Sequence, residues 1–285
     1  MSSLKGVGMG RPRWQGKNVY ITGGSSGIGL AAAQQFFSHG ADVIIIARGE
    51  ERLEAALKEI EPLKVSDSQR ADRISLDVSD HAAVNEKIGR AVNEFGTPHV
   101  LINSAGFAYP NYFEKIPYDT FKETIDTNLC GIWNMCACLI PSMKSTGGHI
   151  VNISSIAGFI GIFGYTAYSA SKFAVMGFSE SLRGEMKPYN ITVSVLCPPD
   201  TDTPQLAEEN RTKPAETRAI AGNAGLMSPK AVAKDMIKGM EQGNFIIIPG
   251  MQGRFIHLAQ RLFPGLVRII LDAQIKKVRN ATKRT

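Results

Sequence analysis

Short apolar, β-branched runs recur along this chain, each separated from the next by a stretch with helical periodicity. KNVYIT (17–22), DVIIIAR (42–48) and residues 73–77, 99–103, 148–154 and 191–197 are all strand-sized. DVIIIAR is apolar without alternation, as a strand buried on both faces has to be. Strand and helix alternate about six times. That order folds into a parallel sheet with helices on both faces, because every crossover must carry the chain back to the same edge. The expected architecture is therefore α/β and single-domain: 285 residues suffice for one large core, and no Pro/Ser linker or internal repeat divides them. A composition of 44% hydrophobic and 20% charged residues excludes a mainly disordered chain.

Two regions break the rhythm. Residues 198–228 are polar, proline-rich and long for a connection, so they are expected to form a substrate loop or lid. Residues 251–285 carry eight Lys or Arg against the single acid Asp272. Arg254, Arg261 and Arg268 recur every seven residues, which stacks them on one helical face, with Phe255, Leu258, Leu262, Leu266, Ile269 and Ile270 on the others, interrupted by Pro264. This basic amphipathic tail fits an anionic membrane surface, a contact with a second copy, or packing on the chain's own lid, and these stay open. Residues 1–15 are basic, are expected to be flexible, and contain no apolar secretory core. With its positive charge at the ends and a mildly acidic body, the chain does not read as a nucleic-acid binder. No run reaches the ~18 apolar residues of a spanning helix. Cys130, Cys136, Cys138 and Cys197 lack paired spacing and suit a reducing, cytoplasmic setting. His39, His81, His99, His149 and His257 are scattered and read as surface or helix-end residues, and no metal site is expected.

The sequence Thr22-Gly23-Gly24-Ser25-Ser26-Gly27-Ile28-Gly29 joins the first strand to the first helix. Glycines there allow a sharp turn and close backbone approach to a pyrophosphate, and the helix start offers free N–H groups and a positive dipole end. Gly23, Ser25, Ser26, Gly27, Ile28 and Gly29 are the expected phosphate cradle of a dinucleotide site. At the end of the second strand a carboxylate would hold the ribose hydroxyls and repel a 2′-phosphate. This chain has Ala47 and Arg48 instead, with Arg52 one turn on. Two guanidiniums grip a phosphate, which favours NADPH. Asp77 ends the third strand, where it can accept from the adenine amine or cap the next helix.

Tyr168 and Lys172 stand at i and i+4 of a helical stretch and share a face. A phenol with a pKa of ~10 exchanges its proton poorly near neutrality, and a nearby ammonium is expected to lower that value. Ser154 and Ser155 close the preceding strand, at the edge where open α/β sheets bind ligands. From there Ser155 can hold a carbonyl oxygen while Tyr168 donates a proton to it.

TGGSSGIG, Asn103-Ser104-Ala105-Gly106, Asn128 in TNLCG, the serines at 154–155 and YSASK at 168–172 together resemble the short-chain dehydrogenase/reductase family, over roughly residues 16–250. The resemblance implies a seven-stranded Rossmann sheet in the order 3-2-1-4-5-6-7 and a catalytic tetrad of Asn128, Ser155, Tyr168 and Lys172. It also implies that Lys172 binds the nicotinamide ribose and that Asn128 holds a water of the proton relay. Asn103 would secure the neighbouring strand. Asp77, Val78, Asn103, Ala105 and Gly106 would line the adenosine side, and Pro198, Thr201 and Thr203 the nicotinamide side. The family's usual Pro-Gly after the sixth strand is replaced by Pro198-Pro199.

Within the family, PPDTDTP (198–204), AEENRTKPAET (207–217) and FGYTAYSASKFA (163–174) are similar to the branch that reduces sphingoid ketones. That implies NADPH-dependent reduction of 3-ketodihydrosphingosine to dihydrosphingosine, on or near the cytosolic face of a membrane. Among the insertion's acids Asp200, Asp202, Glu208 and Glu209, Asp200 or Asp202 is expected to face the substrate ammonium, with turn and helix capping as the competing role. A steroid, retinoid or acyl ketone is the alternative substrate. A non-catalytic dinucleotide-binding regulator is the alternative class, against which the intact tetrad argues.

Overall fold

A computed structural model describes residues 14–221 and 225–282. Most of the expected flexible segment 1–15 lies outside the described residues, as do 222–224 of the insertion and 283–285 of the tail. The strands are β1 (Asn18–Thr22), β2 (Asp42–Ala47), β3 (Ala71–Ser75), β4 (Val100–Asn103), β5 (Gly148–Ile153), β6 (Ile191–Leu196) and β7 (Ile246–Ile247). The helices between them are α1 (Gly27–Ser38), α2 (Glu50–Ile60), α3 (His81–Phe95), α4 (Tyr118–Ile125), α5 (Gly131–Met143) and α6 (Thr166–Met186). Later come α7 (Pro204–Thr212), α8 (Ala215–Ala221), α9 (Pro229–Glu241), α10 (Met251–Leu262) and α11 (Pro264–Thr282). The strands form one parallel sheet in the order β3-β2-β1-β4-β5-β6-β7, as expected.

Alternation along each strand divides the apolar residues between two cores. Val19, Ile21, Val43 and Ile45 face α1, α2 and α9. Tyr20, Ile44 and Ile46 face α3, α5 and α6. The unbroken DVIIIA run is thus apolar because both its faces are covered. Ala31, Ala32 and Ala33 bring α1 close to the sheet, and Phe36, fully buried, meets Trp14 edge-on at 4.9 Å between ring centroids.

Three readings are corrected in detail and a fourth, the insertion, gains detail. β3 begins two residues before the expected 73–77, because the Arg70 carbonyl already accepts the Val43 N–H, whereas Asp77 has left the sheet and accepts from the Ser79 N–H and hydroxyl. His149 lies inside β5, where burial lowers its pKa to about 4 and its Nε2 sits 2.9 Å from the Ser194 hydroxyl. The insertion carries two helices, and its ends are zipped together: Met227 N–H donates to the Asp200 carbonyl and Asp202 N–H to the Met227 carbonyl. The tail breaks at Phe263–Pro264, since proline cannot continue a helical hydrogen-bond ladder, so Arg268 does not stack on one face with Arg254 and Arg261.

Truncating Phe36 to Ala leaves a void between α1 and the sheet and is expected to cost about 3–5 kcal/mol. Urea unfolding of the variant reads this directly; a loss below about 1 kcal/mol would contradict the packing described.

Candidate active site

Parallel strands deliver their carboxyl ends to one edge, and a cleft of about 600 Å³ opens there. Gly23, at φ +66, carries the turn out of β1; a Cβ on it would stand 2.8 Å from the Ser104 carbonyl oxygen and 2.9 Å from the Ala105 nitrogen. A Cβ on Gly29 would overlap the Gly23 carbonyl. The Thr22 hydroxyl accepts from the Ser104 and Ala105 N–H groups, both at 3.0 Å, and so ties the ends of β1 and β4 together. Ser26 precedes α1 without a side-chain cap, which leaves the first N–H groups of this helix free for a ligand. Gly23, Ser25, Ser26, Gly27 and Ile28 line the cleft, whereas Gly29 packs beneath the turn. A turn whose glycines leave its backbone open, leading into an uncapped helix, fits a pyrophosphate.

Arg48, Arg52, Asp77 and Val78 form one end of the cleft. Arg48, 59% exposed, reaches Asp77 at 3.8 Å and Glu123 at 3.7 Å. Its guanidinium is held loosely and stays available to an anion. Asp77 takes the Ser79 pair as a cap while remaining in the cleft wall.

Ser154, Ser155, Tyr168 and Lys172 line the inner wall. The Ser155 hydroxyl accepts from Ala157 N–H at 3.1 Å and, facing the Tyr168 phenol across the cleft, draws the phenol pKa down. Burial outweighs that effect, and together with Glu209 and Asp200 it raises the phenol pKa well above the ordinary value. The net shift runs against the lowering expected from the lysine alone: the Lys172 ammonium sits 5.5 Å from the ring centroid, donates to the Ile153 carbonyl at 2.8 Å, and does not offset burial and the two acids. Burial brings Lys172 itself down to about 8, with Cys197 and Glu209 opposing.

Asn128 lies fully buried in a π-helical turn, Asp126–Cys130, between α4 and α5. Its amide donates to the Phe107 carbonyl and the Ser171 hydroxyl and accepts the Phe107 N–H, all at 3.0 Å. These contacts bind the loop after β4 to α6. Asn103 likewise lies below the cleft and donates to Asn152 of β5 at 2.8 Å.

The insertion adds a buried charge cluster. Lys213, almost wholly enclosed, approaches Asp200 at 3.8 Å and Glu209 at 4.0 Å. Glu209 accepts the Tyr165 hydroxyl at 2.5 Å and the Gln205 amide at 2.9 Å. Burial raises the pKa of both carboxyls. Asp202 is exposed and outside the cleft wall, so of the two expected acids only Asp200 reaches the site. Pro198, Pro199, Thr201 and Thr203 complete that wall; Thr203 caps α7 by accepting from Leu206 N–H.

Residues 17–214 match the family profile of short chain dehydrogenases. The chain belongs to this family. It is 45% identical to 3-dehydrosphinganine reductase of Danio rerio and 43% identical to 3-ketodihydrosphingosine reductase of Bos taurus, in each case over 84% of this chain and 72% of the relative. Among solved structures, levodione reductase superposes with a TM-score of 0.77 at 23% identity, covering 85% of this chain and 99% of that one, and shares the fold. As a short chain dehydrogenase the protein is an oxidoreductase that uses a nicotinamide dinucleotide.

In this short chain dehydrogenase, Tyr165, Glu209 and Lys213 are site residues that sequence reasoning missed as a group. Lys213 sits in a polar stretch with nothing to mark it as buried, and its enclosure follows only from how Asp200, Glu209 and Tyr165 meet around it. The buried Lys172 has a consequence for stability. Unfolded, a lysine keeps its proton to about pH 10.4; folded, this one loses it near 8. Between those values the unfolded state binds more protons, so the stability cost of the group fades as pH rises through the window. Lys172→Met should lack this gain, its stability advantage over the unmodified protein shrinking by about 2 kcal/mol between pH 7.5 and 10. Urea titrations at the two pH values test this, and parallel pH dependences would rule it out.

Proposed function

We propose that this short chain dehydrogenase reduces the ketone of 3-ketodihydrosphingosine to give dihydrosphingosine, with NADPH as the reductant. The observation that carries the proposal is one cleft lined by a half-buried phenol and serine beside the buried Lys172, the buried Glu209 with the half-buried Asp200, and two arginines. The names borne by the relatives in Danio rerio and Bos taurus support the same substrate.

Gly23, Ser25, Ser26, Gly27, Ile28, Ala105 and Gly106 would hold the dinucleotide backbone, with Asp77 and Val78 at the adenosine and Pro198, Thr201 and Thr203 at the nicotinamide. Arg48 and Arg52 would grip a 2′-phosphate, which distinguishes NADPH from NADH. When bound, the dinucleotide supplies the hydride that the carbonyl carbon receives. Ser155 orients the carbonyl oxygen, and Tyr168 gives that oxygen its proton. Its raised pKa keeps the proton in place until negative charge develops on the oxygen. Lys172, charged below about pH 8, stabilises the phenolate left behind. Asn128 acts by holding the loop after β4 against α6. Asp200 and Glu209 share the single ammonium of Lys213, so the ionised cluster retains one negative charge. The substrate ammonium, next to the ketone, balances it.

Full-length protein should oxidise NADPH with 3-ketodihydrosphingosine, with kcat/KM for NADH lower by about tenfold or more. Tyr168→Phe should reduce kcat by about 10²–10⁴-fold, and Arg48→Ala should raise KM for NADPH while leaving NADH unchanged. Equal use of the two dinucleotides would refute the cofactor assignment. Turnover of a steroid, retinoid or acyl ketone in place of the amino ketone would refute the substrate.

Residues 16–250 form the catalytic unit in this proposal, and 251–285 a tail that rests on an anionic membrane surface. Along α10 and α11, Phe255 (71% exposed), Leu262 (58%), Leu266 (56%) and Ile269 (66%) project outward among the tail's arginines and lysines. Among the described residues no helix is long and apolar enough to cross a membrane, so contact would be interfacial. Wild type should co-float with vesicles containing anionic lipid, and Leu262→Ser combined with Leu266→Ser and Ile269→Ser should not. Unchanged flotation would reject membrane contact, and a dimeric mass lost in the same variant would assign the ridge to a second copy.

A further inference from the structure

We propose that an apolar cavity beside the reaction cleft is the slot for the substrate's alkyl chain, and that the carboxyl-terminal helices build its outer wall. This inference rests on the proposed reduction of a long-chain amino ketone and adds where the chain goes. The cavity measures about 250 Å³ and is continuous with the cleft: Ser155, Ile162, Tyr165, Pro198, Pro199 and Asp200 line both. Away from that junction its wall is almost wholly apolar, contributed by Ile160 after β5, Ile220 of α8, Ala259 of α10, and Val267 and Leu271 of α11. The inner end therefore holds a carboxylate and the remainder, apart from the amide of Gln274, is hydrocarbon, which matches an amphiphile with an ammonium head. A short polar ketone has no use for such a slot.

The outer wall is fastened to the catalytic body by specific contacts. Arg279 of α11 reaches Glu216 of α8 at 3.5 Å, and that buried carboxylate also accepts the Tyr112 hydroxyl at 3.1 Å. His257 of α10 packs edge-on against Phe159 at 4.8 Å. Gly253 is buried where a Cβ would stand 2.9 Å from Ile248, which lets α10 approach β7's end closely. Phe255 and Ile270 line the slot and are also 71% and 49% exposed. The slot thus opens onto the apolar ridge of the tail, the side from which a chain leaving a lipid surface would enter.

Each methylene moved from water into the slot should tighten binding about fourfold. Titration calorimetry of octyl-, decyl- and dodecylammonium on full-length protein, below their micelle concentrations, should show this increment at one site per chain. Ala259→Trp and Val267→Trp, each placing an indole in the slot, should flatten the dependence on chain length while thermal melts report their fold. An absent increment in wild type, or the same increment in a folded Trp variant, would overturn the slot. Failure to turn over 3-ketodihydrosphingosine with the increment and its loss intact would sink the catalytic proposal and leave the alkyl site standing.

Discussion

Parallel strands cannot be joined by tight turns. Each must be followed by a crossover that buries one face of the sheet before the next strand begins. In this chain that requirement brings Thr22, Ala47, Asn103, Ile153 and Leu196 to a common edge. The loops leaving that edge carry the glycine turn, Arg48, Ser155 and Asp200, and α6 lays Tyr168 and Lys172 alongside them. Short polar links hold the edge in register. Thr22 binds the backbone of the loop after β4, Asn103 reaches across to Asn152, and Asn152 in turn donates to Ser179 of α6. The last of these buried bonds couples the sheet to the helix that bears the phenol.

The electrostatics of the site follow from removing two lysines from water. Lys172 is left with the Ile153 carbonyl and loses basicity. Lys213 is enclosed by two carboxylates. Those same carboxylates raise the Tyr168 phenol further than burial alone. A site in this condition strains toward cations, because an added positive charge relieves both the acid pair and the phenol. A cationic substrate head would therefore serve in binding and in proton transfer together.

The carboxyl-terminal helices are tied to the insertion through Glu216 and to the loop after β5 through Phe159. Their inner surfaces close a cavity and their outer surfaces stay apolar and exposed. The break at Pro264 makes this double duty feasible. With the ladder interrupted there, α11 packs on α8 of the insertion while α10 packs against Phe159 and Ile248.

Sequence alone determined the layer architecture, the glycine turn and the Tyr168–Lys172 pair, because each depends on spacing along a few neighbouring residues. Strand order followed from the resemblance those motifs carry. Tertiary structure decided which acids reach the cleft. Asp200 and Asp202 are two residues apart, yet the pairing of the insertion's ends with Met227 holds Asp200 in the cleft wall and leaves Asp202 in solvent. It also decided the state of the phenol, since burial, with Glu209 and Asp200 from the distant insertion, raises its pKa and outweighs the lysine one turn away. The reason is common to both cases. Local pattern specifies what a residue can do, but burial, and the partners that burial forces on a charge, arise from segments far apart in the chain that only the folded sheet brings together.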